Sequence, residues 1–379
     1  MPTPASCIAR RPPQARAWLF ALLCALGLTR AAVAAEPAPT APTLTLAVPE
    51  HGAYTGAYID FGDTEDQVTL EGLERFEALV GKHQAIVAFS NFWGEGGLPL
   101  RSLRILDAYG AIPLLFWSPW EAPYNNRSAG RFRLDHILAG DNDAFIDDWA
   151  AQAAAWGKPM LVAWGIEMNG TWFPWSGVFY GGGAIIEGSD PPRYQGPETY
   201  KRAFRYVVDR VRAKGARNVL WVYHSNHGSS PDEPWNQIDA YWPGSDYVDW
   251  VGVSAYGKQF PFQHWYSFKG AFLNSYNTTI AMAPNKPFIL AEWGVGEFAD
   301  GDKGAYIEEA FRRMEEQSPR LKAAVFWHER WQNGDLSYSN LRVHSSLGAL
   351  NAYRKGVARP FWLERPILVP AAGPTEAPK

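Results

Sequence analysis

Two glutamates stand in comparable places in this 379-residue chain, each closing a short apolar run and each beside tryptophan. Glu167 lies in residues 164–177, WGIEMNGTWFPWSG, directly after PMLVA at 159–163; Glu292 lies in FILAEWG at 288–294. A short apolar run of this kind reads as a buried strand, so both acids should sit where strands end. A carboxyl group among Trp164, Met168, Trp172, Phe173 and Trp175 is poorly solvated, which raises its pKa and lets it keep its proton near neutral pH. Glycosidic cleavage needs such an acid to protonate the leaving oxygen, and a second carboxylate completes the minimum pair. The flat indole faces around the acids are surfaces on which sugar rings stack.

The elements that must carry these residues alternate along the chain. Strand-like runs at 53–61, 85–89, 112–117, 159–163, 219–223, 248–253, 288–291 and 321–326 each end in a polar or aromatic cluster. Helical patterns follow at 69–80, 100–109, 143–156, 198–213, 268–282, 306–317 and 347–355. The apolar face of the first is formed by Leu70, Leu73, Phe76, Leu79 and Val80. Alternation with apolar strands predicts a parallel sheet covered on both faces. A doubly wound sheet would give a similar pattern, but it gathers its functional residues at one crevice. Here they recur at the C-terminal ends of most strands, so the expected fold is α/β, a single-domain (β/α)8 barrel over residues 44–369.

Outside that domain, Arg10, Arg11 and Arg16 precede an apolar run at 18–28, and Ala32-Val33-Ala34 offers small residues for cleavage near Ala34 or Ala35. This is the order of a secretory signal peptide over 1–35, with a run too short to span a bilayer, and it predicts a secreted or periplasmic protein without a membrane anchor. Residues 36–43 read as an Ala/Pro linker and 370–379 as a mobile tail. Both cysteines, Cys7 and Cys24, fall in the signal segment, so the processed chain would have no disulfide, thiolate metal site or cysteine nucleophile. The net charge of −4, without runs of Lys or Arg, argues against nucleic-acid partners. Nothing demands more than a monomer. Tryptophan, at 18 residues against 17 tyrosines, is in excess of what a core alone uses.

Three stretches carry a resemblance: GIEMNGTWFPW at 165–175, AYWPGSDYVDWVGVSAY at 240–256, and FILAEWG. Together they resemble glycoside hydrolase family 26, the mannanase-like retaining glycosidases of the (β/α)8 clan. The resemblance implies that Glu167 is the acid/base and Glu292 the nucleophile. It further implies that Trp172 stacks on sugar, that Tyr256 hydrogen-bonds the nucleophile, and that Trp327 is the platform under the ring being cleaved. One position departs: mannanases of the family usually carry His directly before the acid/base, and here it is Ile166. That histidine contacts the nucleophile, so the bond would pass to His224 or Asn226, and mannan becomes a less secure substrate than in the family at large. Mixed-linkage β-glucan and β-1,3-xylan stay open.

Among the remaining aromatics, Trp93, Trp117, Trp175 and Trp293 are expected to line the groove with Trp172 and Trp327. Trp149, Trp156 and Trp250 lie in element bodies and are expected in the core, while Trp120 and Trp265 fit either role. His224 and His227 end one strand, where side chains three apart do not share a face. They suit hydrogen bonding to substrate or to Glu292 better than a metal, and no HExxH or paired ligand spacing occurs. Asp60 and Glu95 could bind sugar hydroxyls or simply satisfy loops. Two carboxylates supply all the chemistry, so no cofactor is expected. The sequence therefore reads as a secreted retaining endo-β-glycosidase, mannanase-like or glucanase-like, acting on a β-linked polysaccharide. The alternatives are a glycosidase for the cell's own exopolysaccharide and a polysaccharide-binding protein without catalysis.

Overall fold

The computed structural model describes residues 43–61, 67–125 and 127–371; the signal segment and most of the linker and tail fall outside them. Eight parallel strands form the centre: β1 (Ala53–Ile59), β2 (Ile86–Phe92), β3 (Ile112–Ser118), β4 (Met160–Trp164), β5 (Val219–Asn226), β6 (Trp250–Tyr256), β7 (Phe288–Gly294) and β8 (Leu321–His328). Each pairs with the next, and β8 pairs back onto β1 from Tyr54↔Ala323 to Ile59↔His328. The sheet is thus closed: the fold is a (β/α)8 barrel.

The helices are α1 (Leu70–Val80), α2 (Leu100–Tyr109), α3 (Leu134–Ala139), α4 (Asp143–Trp156), α5 (Gln195–Ala213), α6 (Phe268–Met282), α7 (Lys303–Gln317) and α8 (Leu347–Val357). Short polar residues start several of them. The side chains of Thr69, Ser267, Asp302 and Ser346 each accept a backbone N–H from the first turn, satisfying donors that a helix start leaves open. Glycines in the left-handed region stop α1, α2, α3 and α4. Alternation along each strand then divides the core in two. Phe116 and Trp327 turn into the barrel and meet each other, whereas their neighbours Trp117 and Phe326 turn outward to α4 and α8.

Three features had no sequence signal. The short helix α3 precedes α4. A hairpin of Arg330–Gln332 and Tyr338–Asn340 follows β8. Leu44–Leu46 pairs antiparallel with Leu368–Pro370, so that Pro370, expected in a mobile tail, belongs to a strand. This strap is fastened beside the start of β1, where Tyr54 Oη donates to Ala47 O and accepts from Ile367 N.

β7 contains the irregularity that matters most. Val253 pairs with Leu290, yet the next residue of β6, Ser254, pairs with Glu292, and Ala291 is left over. On the other side Leu290 pairs with Ala324 but Trp293 with Phe326, so the same extra residue appears. An extra residue reverses the facing of everything after it. Phe288 packs outward against Tyr276 of α6; unbroken alternation would turn Glu292 outward as well. The bulge instead places Glu292 on the inner face with Ser254 and Tyr256.

Candidate active site

Glu167 lies three residues beyond β4, in a turn held from several sides. Gly165 and Glu167 both have φ in the left-handed region, +57° and +54°. A non-glycine residue there is strained by about 1 kcal/mol or more and persists only when its surroundings enforce it. Here Tyr200 Oη donates to the carbonyls of Trp164 and Gly165 at 3.2 and 3.0 Å, and Trp175 Nε1 to that of Ile166 at 2.6 Å. The Glu167 N–H donates to His224 O on β5 at 2.8 Å. The carboxylate is therefore aimed by backbone, not by its own rotamer alone.

Its oxygens meet three donors, one of them Ser254. Trp172 Nε1 donates to Oε2 at 2.5 Å and Asn226 Nδ2 to Oε1 at 3.1 Å. Trp172 can fold back this far because Gly170 has no side chain; a Cβ there would stand 2.5 Å from the indole. Burial raises the Glu167 pKa, and the hydrogen bonds from Ser254, Trp172 and Asn226 oppose the rise without cancelling it.

Glu292, on the inner face of β7, receives the Tyr256 hydroxyl on Oε2 at 2.6 Å. Desolvation and the Glu292 charge hold that tyrosine's pKa well above its usual value, so it remains a donor. His224 Nε2 lies 3.9 Å from Glu292 Oε1 and shares a 2.7 Å hydrogen bond with Ser254 Oγ. Burial alone pushes the His224 pKa down to about 3, so the ring is neutral. Ser254 thus stands between the acids, bonded to Glu167 and to His224. Ligand-capable atoms of Glu167, His224 and Glu292 all fall within 4.8 Å of one another. That spacing could hold a cation, but both Glu167 oxygens and Oε2 of Glu292 are already met by N–H and O–H donors.

The site residues expected from sequence divide clearly. Glu167, Glu292, Trp172, Tyr256, His224 and Asn226 are brought together, with Asn226 on Glu167 rather than on Glu292. Trp327 joins them at the mouth, stacked on Tyr58 at 3.8 Å, donating to Glu329 Oε2 at 2.7 Å, and edge-on to Tyr256. Four tryptophans expected in the groove are buried instead. Trp117 stacks on Trp149 of α4 at 4.0 Å, and Trp93 packs against Trp117, Phe132 and Phe145. Trp293 is enclosed by Phe268, Phe311 and Phe326 because the bulge turns it outward. Trp175 is buried beneath Phe173 and holds the Ile166 carbonyl. Trp149 and Trp250 are core as expected; Trp156 is half-buried against it. Trp120, which fitted either role, sits half-buried at the mouth with Phe92, Tyr124, Phe173 and Trp175 edge-on around it. Trp265 is half-buried beside Tyr306. Asp60 pairs with Arg342, and Glu95 accepts from Tyr124 Oη at 2.5 Å. His227 turns to the Ser254 carbonyl, away from both acids.

Sequence reasoning missed two residues. Ser254 lay in view as a strand end, and only the register slip sets it beside Glu292. Asn169, wholly buried, accepts from Asn226 N at 2.9 Å and donates to Asn226 O at 3.0 Å, fixing the residue that bonds Glu167. Its place two residues after Glu167 was the available clue.

The fold and the site together define a (β/α)8 barrel with paired carboxylates at the C-terminal mouth of its strands, one after the fourth and one in the seventh. Comparison with known proteins narrows this class. Residues 134–295 match the family model described as glycosyl hydrolase family 26. The chain is 33% identical over 251 residues to endoglucanase H of Acetivibrio thermocellus, covering 65% of this chain and 24% of that protein. It is 27% identical over 248 residues to a mannan endo-1,4-β-mannosidase of Bacillus subtilis, covering 64% of this chain and 58% of that protein. The chain thus spans well under two thirds of either relative's length. In fold it is similar to the modular endo-β-1,4-mannanase of Cellulomonas fimi, with a TM-score of 0.60 at 18% identity over 86% of this chain and 76% of that one. The matched stretch, which holds both glutamates, is similar to glycoside hydrolase family 26.

Proposed function

We propose that the protein is an exported, retaining endo-β-glycosidase acting on a β-linked polysaccharide of the mannan, glucomannan or β-glucan type. The observation that carries the reading is the unequal provision for two carboxyl groups whose oxygens approach within 4.8 Å. Glu167 is buried, with a raised pKa, and suits the acid; Glu292 receives a hydroxyl donor and suits the nucleophile. Retaining enzymes keep their carboxyl groups about 5–5.5 Å apart, and inverting ones leave room for a water at about 6.5–9.5 Å. In the first step a Glu292 oxygen attacks the anomeric carbon. The bond from that carbon to the leaving oxygen breaks, and the Glu167 proton passes to that oxygen. In the second step Glu167 takes a proton from water, whose oxygen attacks the same carbon and releases Glu292. The anomeric configuration is kept and both groups are restored.

Relatives bearing the names endoglucanase, mannan endo-1,4-β-mannosidase and β-1,3-xylanase all align with this chain, so the sugar is chosen among polymers, not by family. Ile166 stands where mannanases usually carry histidine, which favours testing glucans and bacterial exopolysaccharides beside mannans. Export rests on the signal-like residues 1–35; among the described residues no helix is long and apolar enough to cross a membrane. The test is product release from glucomannan, galactomannan, mixed-linkage β-glucan, β-1,3-xylan and exopolysaccharides, with wild type and Glu167→Ala in parallel. Release lost in the variant, with the β-anomer formed first by NMR, supports the reading. An α-anomer first would sink the two-step mechanism. Retention on a polysaccharide gel without turnover would leave a binding protein.

A further inference from the structure

The loops after β6 and β8 meet in front of β7 and build a ledge on the side of the mouth that carries Glu292. The backbone of the β7 loop is pinned between them: Gly296 N donates to Lys258 O at 2.8 Å and Glu297 N to Asn340 O at 3.0 Å. The buried Lys303 donates to Asn340 O and Arg342 O at 3.1 and 2.9 Å, bracing the base of the hairpin. Gln263 Oε1 accepts from the N–H groups of Gln259 and Phe260, fixing the turn after β6.

This scaffold carries three aromatic rings. Phe260 and Phe262 are stacked at 5.4 Å, and Phe260 meets Trp331 edge-on at 5.9 Å. Trp331 is oriented by its own N–H, which donates to Asn333 Oδ1 at 3.0 Å. Phe262 is 79% exposed, a large cost in water for a ring whose ring contact is Phe260 alone among the described residues. The rings stand four and six residues beyond Tyr256 and four beyond Trp327, so they continue the two strand ends that flank the nucleophile.

We propose that Phe260, Phe262 and Trp331 form a distal subsite that stacks on a pyranose ring of the same polysaccharide, outside the unit being cleaved. The inference rests on the glycosidase reading and adds to it a place where chain length is sensed. A rigid backbone presenting one exposed ring, Phe262, beside the half-buried Phe260 and Trp331 suits a sugar face, and continuity with Tyr256 and Trp327 sets the occupant as the substrate's own chain. The ledge holds no group for the chemistry, so its contribution falls on binding.

The test uses the polymer that wild type cleaves best and a short aryl β-glycoside of the same sugar that spans only the two glutamates. Phe262→Ala is surface-exposed and will fold; Trp331→Ala and Trp331→Phe accompany it. The expected result is a fall of about tenfold in kcat/KM on the polymer, carried by KM, with the aryl glycoside unaffected and partial recovery in Trp331→Phe. Equal losses on both substrates, or no loss on the polymer, would overturn the proposal. Gel retardation of Glu292→Ala with and without Phe262→Ala separates the two readings. A retarded protein whose mobility ignores Phe262 defeats the ledge, whereas wild type that neither cuts nor is retarded defeats the glycosidase reading with it.

Discussion

Tyr256 donates its hydroxyl to Oε2 of Glu292 at 2.6 Å, across a pair of strands whose register slips at Ala291. The tyrosine can reach the carboxylate only because the slip turns Glu292 onto the inner face that Tyr256 occupies. A hydrogen bond to a charged group is worth about 1.5–3 kcal/mol, or roughly 10- to 100-fold. Tyr256→Phe should therefore lower kcat/KM by that factor while leaving the melting temperature nearly unchanged. Steady-state kinetics beside a thermal melt would check it, and a fall confined to stability would contradict it.

The alkaline limb of the pH–rate profile should report Glu167. Burial raises its pKa, so activity should persist above the ordinary carboxylate range and fall when this proton is lost. The Trp172 N–H favours the charged form, hence Trp172→Phe should move that limb to higher pH while lowering kcat/KM. With the His224 pKa pushed down to about 3, no limb should appear at the ordinary histidine value. A kcat/KM profile of both proteins across pH 3–10 would decide.

Stability should depend on the same proton. A carboxyl group whose folded pKa is raised stabilises the fold below its unfolded value, near 4.3, and loses that stabilisation as pH rises through the folded value. Glu167→Gln keeps the shape and removes the charge. It should melt higher than wild type at neutral pH, with the difference shrinking as pH falls through the raised folded value and gone below about 4. A gain that grows towards acid would reverse the sign argued here.

Trp117 offers a test of where the tryptophans lie. It is wholly buried and stacked on Trp149, so Trp117→Ala should cost about 3–5 kcal/mol of folding stability. KM for the aryl glycoside should stay within twofold for the folded fraction. A groove residue would give the opposite pattern, with stability kept and KM raised.

Much of this molecule could be read from its amino acids, for definite reasons. The helices at 143–156 and 268–282 have the expected bounds, because acidic side chains and Ser267 mark their starts. Strands were legible as apolar runs, although β5 extends to Asn226, beyond the apolar stretch, since polar residues at a barrel mouth still pair. Trp117 was open to correction from the sequence alone. If Phe116 faces inward, alternation sends its neighbour out. Trp293 was not, because its facing depends on one surplus residue at Ala291 that leaves no mark in composition. The hairpin and the strap depend on partners far away in the chain, for which local patterns carry no signal.

The strap joining Leu44–Leu46 to Leu368–Pro370 brings Ala371 N within 2.7 Å of Thr43 O. Start and finish of the folded domain are thus next-door neighbours, beside the beginning of β1 and away from the mouth. Circular permutation becomes practical: a short Gly/Ser bridge can replace the two termini, and new ones can be opened in the exposed turn at Gly334. The polypeptide would then begin and end beside the ledge, so a reporter or a carbohydrate-binding module could be fused next to the cleft instead of at the opposite end of the barrel.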